Sequence, residues 1–272
     1  MKLLGMACAA IALGVGLSGC VVEAGAWRQQ AAHQELRAWS APIEPDRPVI
    51  VESENGSITL LPCEGEQFII AATVRATTLE RLAAVDVRAD RQADGGLRIW
   101  AEWPDQRQPD EGVSFDIALP SASSITAITA NGTIELTGLR GPARLESSNG
   151  AIKVQGHEGA VDASTSNGAI TIEGATADVT ADTSNGKVTI VHASGAGGSV
   201  RARSSNGRIH VQLGAGFSGR ITCRTSNGSI SLPKGESMIL LQDGRNLRSI
   251  QLGEGDAVVD LHTSNGPISV QR

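Results

Sequence analysis

This chain of 272 residues contains no tyrosine and only three phenylalanines. A core built on large aromatic anchors is therefore not available, and the interior must be narrow and filled by small and β-branched side chains. Histidine is also scarce. His33, His157, His192, His210 and His262 are widely spaced, and none stands at ligand spacing from a cysteine. No metal site is expected, and the five are expected to be solvated surface residues. No Gly-x-Gly-x-x-Gly opens a helix, and the repeated aspartates of calcium-binding β-rolls are missing, so no cofactor is expected. The formal charge of −6 argues against nucleic acid as a partner.

Glycine is abundant, and much of it comes as Asn-Gly. The pairs are Asn55-Gly56, Asn131-Gly132, Asn149-Gly150, Asn167-Gly168, Asn185-Gly186, Asn206-Gly207, Asn227-Gly228 and Asn265-Gly266. Thr165-Ser166-Asn167-Gly168 shows the usual surroundings. From Asn131 to Asn185 the spacing is 18 each time, and from Asn185 to Asn227 it is 21 twice. A fixed period near 20 residues is the signature of a solenoid.

The columns around each Asn support this. Three residues after it stand Ile58, Ile134, Ile152, Ile170, Val188, Ile209, Ile230 and Ile268, and the fifth position after it is likewise aliphatic. The fourth and sixth residues before it are apolar, and the second before it is always Ser or Thr. Each unit thus holds two strands of period 2, one on either side of the Asn-Gly corner.

Asn-Gly between alternating strands is also the strongest short hairpin signal, since a type I′ turn needs positive φ twice. A meander of hairpins would not require identical columns, whereas in-register parallel stacking rewards them, and stacked Asn side chains can bond along a ladder. The expected fold is therefore all-β, a single-stranded parallel β-helix with rungs of about 18–21 residues and Asn-Gly corners. The second corner of each rung is short and Gly-rich, and the longer repeats gain their extra residues there, at 191–199 and 212–220. Gly168 is expected to have φ > 0. Burial of about five apolar side chains cannot by itself repay the ordering of a rung, so stability must come from stacking.

The chain opens with Met1-Lys2 and an apolar run, Leu3 to Gly16, followed by Leu17-Ser18-Gly19-Cys20. This reads as a secretory signal over 1–19 and not as a membrane span. Leu-Ser-Gly-Cys resembles the bacterial lipobox. The resemblance implies cleavage before Cys20 and acylation of that residue, which anchors the protein to a membrane. Val21 and Val22 stand where inner-membrane lipoproteins often carry Asp, which by resemblance points to the outer membrane. Residues 20–48 form the lipidated Cys and a tether, in which Trp27, Ala32, Leu36 and Trp39 form one face of a short helix or the segment is a flexible linker ending at Pro42, Pro45 and Pro48.

Residues 49–272 read as one β-solenoid domain: irregular rungs over 49–124, regular Ser-Asn-Gly repeats over 125–232, then a degenerate rung and a final rung over 233–272. The interval from Asn55 to Asn131 is 76 residues, close to four rungs, with Asp94-Gly95 as a corner inside it. About a dozen rungs follow in all. Cys63 and Cys223 would lie about nine rungs apart, roughly 40 Å. That is far beyond disulfide reach, so both are expected to be unpaired.

The repeat resembles that of the putative adhesin, or toast-rack, family of bacterial envelope domains, whose unit is Asn-Gly-x-Ile-x-Val. Asn149-Gly150-Ala151-Ile152-Lys153-Val154 matches it, and Val113–Pro120 matches the Pro-ended strand common just before the regular repeats. The resemblance covers most of 49–272. It implies a fold, and it carries no catalytic residue onto this chain.

Three functions compete. The first is a non-enzymatic, lipid-anchored binding or scaffolding module whose partner is an envelope glycan or protein. Arg201, Arg203, Arg208, Arg220 and Arg224 cluster in sequence as a candidate patch for an anionic partner; a solvated face is the alternative. Asp182 and Arg203 share an outward column and should pair. The second is a polysaccharide-active enzyme, for which Asp105, Asp110 and Glu111 beside Trp100 and Trp103 form the best carboxylate–aromatic cluster. The third is envelope-stress sensing, implied by resemblance to some relatives. The final rung, ending in Ile268 and Val270, is expected to leave an uncapped end through which the protein can form oligomers.

Overall fold

The computed structural model describes residues 33–42, 46–65, 67–233 and 238–272. The signal segment, Cys20, Trp27 and Ala32 lie outside the described residues. The first irregular region contains β1 (His33–Pro42), β2 (Pro48–Ser53), β3 (Ile58–Pro62), β4 (Gln67–Ala76), the helix α1 (Leu79–Ala84), β5 (Asp86–Arg91), β6 (Leu97–Glu102) and β7 (Gly112–Leu119). The regular region contains β8 (Ser124–Thr129), β9 (Ile134–Thr137), β10 (Ala143–Ser147), β11 (Ile152–Gln155), β12 (Val161–Thr165), β13 (Ile170–Ala175), β14 (Val179–Thr183), β15 (Val188–His192), β16 (Val200–Ser204) and β17 (Ile209–Gln212). The chain closes with β18 (Gly219–Asn227), β19 (Ile230–Ser231), β20 (Met238–Asp243), β21 (Leu247–Leu252), β22 (Ala257–Asn265) and β23 (Ile268–Gln271).

The architecture is a parallel β-solenoid. Each Asn-Gly corner joins a strand of one sheet to a strand of a second, and equivalent strands of successive rungs pair in parallel. Ile152 pairs with Ile134 on one side and Ile170 on the other; Ala163 lies between Leu145 and Ala181. One sheet runs β1-β4-β7-β3-β9-β11-β13-β15-β17-β23-β19, the other β20-β21-β18-β22-β16-β14-β12-β10-β8-β2-β6-β5. The inward aliphatic columns are buried except at Leu232, which is partly buried at the end of the stack. The phenylalanines are buried outside the regular repeats: Phe68 in β4, Phe115 in β7 and Phe217 in the loop before β18.

Two ladders hold the corners. Along the outside, Asn149 donates from its side-chain amide to Asn131, Asn167 to Asn149, Asn185 to Asn167 and Asn206 to Asn185, each at 2.8–2.9 Å. Along the inside, the invariable Ser or Thr two residues before the Asn donates to a carbonyl of the adjacent rung, that of Val113 for Ser53 and of a glycine for the other seven. Thr165 reaches Gly150 at 3.0 Å and Thr183 reaches Gly168 at 3.0 Å. These buried hydroxyls are thereby satisfied.

Gly168 does not have positive φ. Close stacking is what demands glycine at this corner. A Cβ on Gly168 would stand 1.8 Å from the carbonyl oxygen of Gly150, and the same approach recurs at every Asn-Gly pair. The left-handed glycines lie instead at the second corner, at Gly138, Gly156, Gly174 and Gly195. The inserted residues of the longer repeats lie there too, between β15 and β16 and between β17 and β18.

The stack departs from sequence order at both ends. At the start, β6 and β7 form a rung that stacks outside the β2–β3 rung, although it follows it in sequence. Its corner is the stretch 103–111, where the others have Asn-Gly. Asp94-Gly95 is no rung corner. It is the turn of the antiparallel β5–β6 hairpin, with Gly95 at φ 81°. β1 and β4 extend the other sheet in antiparallel fashion, so the expected helix or linker at Leu36 and Trp39 is a strand. The interval from Asn55 to Asn131 therefore holds one rung plus antiparallel edges rather than four rungs. The expected dozen rungs is reduced to nine, counting the two-strand turns of the described residues.

At the far end, β22 and β23 insert between the β16–β17 rung and the β18–β19 rung. The C-terminal rung is thus internal, and the expectation that it forms an uncapped end is overturned. The stretch expected as a degenerate rung is an antiparallel hairpin, β20–β21, laid against β18. No disulfide joins Cys63 to Cys223, as expected; burial, with Asp260 nearby, pushes the Cys223 thiol up to about 12.

Candidate binding cleft at the first rungs

The enlarged corner between β6 and β7 opens a concavity on the solenoid flank. The stretch 103–111 swings out where other rungs turn tightly, leaving a cleft of about 480 Å³ beside Glu52, Glu54, Arg98, Trp100, Trp103 and Arg107. Trp100 projects from the outward face of β6, opposite Glu52 in register, since Ile50 pairs with Arg98 and Val51 with Ile99. The Arg98 guanidinium lies 4.6 Å from the centre of the Trp100 ring and donates to Glu52 at 2.6 Å. Trp103 packs in part against the core.

The wall of the cleft is pinned. Asn55 does not join the Asn ladder; its amide donates to the carbonyls of Pro109 at 2.7 Å and Glu111 at 2.8 Å. Arg107 donates to the carbonyls of Gln108 and Glu111 and to the carboxylate of Glu54 at 2.8 Å. Glu111 is fully buried beneath the loop. It accepts from Arg81 at 2.6 and 2.7 Å, from the Gln108 amide at 2.9 Å, and from the hydroxyl and amide of Thr77. Burial alone would raise its pKa, but Arg81 and these donors outweigh that and hold it at about 2. Arg81 is itself placed by α1, whose N-cap Thr78 accepts from the Arg81 backbone amide.

The three carboxylates of the enzyme reading have different surroundings, although Arg81 binds two of them, Asp105 and Glu111. Glu111 is consumed by the scaffold and stays ionised. Asp105 is exposed and paired with Arg81. Asp110 is exposed at the rim of the loop. Only the aromatic half of the cluster, Trp100 and Trp103, faces the cleft. Glu52, Arg98 and Arg107 were not legible as site residues, because nothing in the repeat pattern says that β6 stacks on β2.

The arginine patch is broken up by the inserted rung. Arg201 and Arg203 lie on β16, and Arg220 and Arg224 on β18, with β22 between them. Asp260 stands between Arg201 and Thr222, and His262 between Arg203 and Arg224. Arg201, Arg220 and Arg224 share a shallow depression with Glu254, Asp256 and Asp260, which offset their charge. Arg208 lies elsewhere, with Lys187 and His210. Asp182 and Arg203 are neighbours in register but form no ion pair; one Asp182 oxygen is buried without a partner, and burial raises its pKa against the pull of Arg203.

His157 and His192 are buried, contrary to the expected solvated positions. His157 occupies the inward corner position held by Leu139 and Ala175 in neighbouring rungs, and its Nε2 lies 2.6 Å from the Gly141 carbonyl. Neither ring nitrogen of His192 has a partner. Burial lowers both pKa values.

No protein-family model matches this chain, and no curated protein matches it. Solved structures do. A putative adhesin from Bacteroides fragilis NCTC 9343 is 13% identical, with a TM-score of 0.52 over 89% of this chain and 99% of that one. A putative lipid binding protein from Parabacteroides distasonis ATCC 8503 (12% identity, TM-score 0.41) covers 89% of this chain and is itself covered over 98%. A putative adhesin from the same organism (12%, TM-score 0.38) covers 87%, with 97% of its own length matched. At these identities the likeness is one of fold: the chain shares the parallel-stranded β architecture of the bacterial putative adhesin from Bacteroides fragilis.

Proposed function

We propose that this protein is a non-enzymatic, adhesin-like binding module of the bacterial envelope, held by an acylated Cys20 at the outer membrane, and that it binds its partner in the Trp100 cleft. The carrying observation is the combination of outward indole, open concavity and a wall fixed by Asn55, Arg107 and Glu111. A pre-organised wall loses little freedom on binding, which favours recognition. Against the enzyme reading, Glu111 is fully buried with both carboxylate oxygens occupied by Arg81, Thr77 and Gln108, so it offers no free oxygen as base or nucleophile, and at about 2 it holds no proton to donate near neutral pH. The cleft lies in the rungs nearest β1, so on this reading it sits at the anchored end of the solenoid.

The test is cross-linked capture from intact envelopes with the full-length acylated chain and its Trp100→Ala variant. Capture of a defined partner by the parent and its loss in the variant are expected. Equal capture by both would remove the cleft from the reading. Loss of fatty-acid labelling in Cys20→Ala is expected, and persistent labelling would remove the anchor.

A further inference from the structure

We infer that the Trp100 cleft takes an uncharged oligosaccharide segment, an inference that rests on the binding role just proposed. The chemistry of the cleft walls carries it. Both cationic side chains that reach it are already matched: Arg98 to Glu52 at 2.6 Å and Arg107 to Glu54 at 2.8 Å. Two positive and two negative groups leave no net charge, so an anionic ligand finds no uncompensated cation and a cationic one no uncompensated carboxylate.

What the cleft does offer is an indole and a fringe of hydrogen-bonding groups. Arg98 takes one face of Trp100 and holds the ring in place. A pyranose presents a face of weakly positive C–H groups, complementary to the electron-rich face of an indole. Its hydroxyls are both donors and acceptors. The carboxylates of Glu52 and Glu54 can accept from them while keeping one oxygen for their arginines, and the guanidinium edges can donate. A volume of about 480 Å³ has room for about two or three sugar rings. The cleft is open along the solenoid flank, toward Ile128, Ala130 and Ser148 of the following rungs, which suits a segment of a longer chain.

The experiment uses the full chain in a polyoxyethylene detergent, because maltoside detergents are themselves sugars. Probes are uncharged hexasaccharides of glucose, mannose and N-acetylglucosamine, with hexagalacturonate as the anionic control. Calorimetry and saturation-transfer NMR report binding. At least one uncharged probe is expected to bind, with an affinity changed less than about twofold between low and high salt. Trp100→Ala should weaken it by about tenfold or more, and Trp100→Phe should keep most of it. Glu52→Gln leaves Arg98 unpaired and should add binding of hexagalacturonate.

A parent that prefers hexagalacturonate, with salt-sensitive affinity, would overturn the uncharged class while leaving the cleft a binding site. Absence of all saccharide binding, with Trp100-dependent capture of an envelope protein, would overturn the glycan inference and keep the binding role. Absence of both would remove the binding role as well.

Discussion

Asn265 donates from its side-chain amide to Asn206 at 2.9 Å, and Asn227 in turn donates to Asn265 at 2.9 Å. The ladder therefore runs 206, 265, 227, and the C-terminal rung is clamped on both sides. An Asn in mid-ladder makes one bond as donor and one as acceptor. Asn185→Ala and Asn265→Ala should each cost about 1–2 kcal/mol, with a matching fall in Tm. Asn55→Ala should instead release the loop 103–111 and show itself as faster amide exchange there. Equal exchange in parent and Asn55→Ala would show that Arg107 and Glu111 suffice to hold the loop.

Two glycine substitutions separate crowding from backbone strain. Gly168→Ala puts a methyl group where the Gly150 carbonyl stands, and the rungs must part; a loss of about 3 kcal/mol or more is expected. Gly156→Ala meets no atom within 4 Å and only strains φ at +59°, for about 1 kcal/mol. Chemical denaturation of the two variants measures the difference. A larger loss at Gly156 would reverse the roles assigned to the two corners.

Stability should fall with acid in two steps. His157 and His192 have folded pKa values below the ordinary 6.5, so the unfolded chain takes up protons first as pH falls. Their contribution is intact above about 6.5 and is lost below it. Glu111, at about 2 when folded, contributes fully above the ordinary 4.5, and its contribution is lost as pH falls from there toward 2. Melting curves across pH should show both. His192→Leu should flatten the upper step and Glu111→Gln the lower one. An unchanged upper step in His192→Leu, with His157→Leu equally silent, would assign it to other groups.

Self-association, where it occurs, should use β20. Of the four sheet edges, β5 carries Asp86, Arg88 and Asp90, β1 carries Glu35 and Arg37, and β19 has two residues. β20 presents Ile239, Leu240 and Leu241, exposed by 61, 54 and 49%. The one charge of β20, Asp243, stands at its end and is paired with Arg248, which leaves the apolar stretch of the edge open to pairing, and a single lysine there blunts it. Leu240→Lys should leave the stability within about 0.5 kcal/mol of the parent's and lower association at high concentration in analytical ultracentrifugation. Association unchanged by Leu240→Lys would direct attention to another edge.

The repeat itself was legible because every column around Asn-Gly has a steric or hydrogen-bonding cause. Ile at the third position fills the interior, the hydroxyl two before the Asn bonds to the next rung, and glycine admits its carbonyl. Stacking order was not legible for the same reason. Identical columns let any rung fit any other, and the 21-residue step from Asn206 to Asn227 reads as adjacency although Asn265 separates them. His157 could have been placed, since it stands eight residues after Asn149 as buried Leu139 does after Asn131 and Ala175 after Asn167. His192 could not, because a bulge between Glu173 and Ala175 shifts the register that pairs Ala175 with it. The cleft needed the stacking of β6 on β2, which joins residues nearly fifty positions apart across a hairpin and a helix.

The inserted rung also constrains the order of assembly. A chain made from its N terminus offers 219–231 before 257–271. In the finished stack the 200–212 and 219–231 rungs meet only through 257–271. The inserted rung is thus a keystone: the 219–231 rung and the β20–β21 hairpin beyond it join the rest of the solenoid through a segment that follows them in sequence, so removing that segment should cost the far end its protection from protease as a unit.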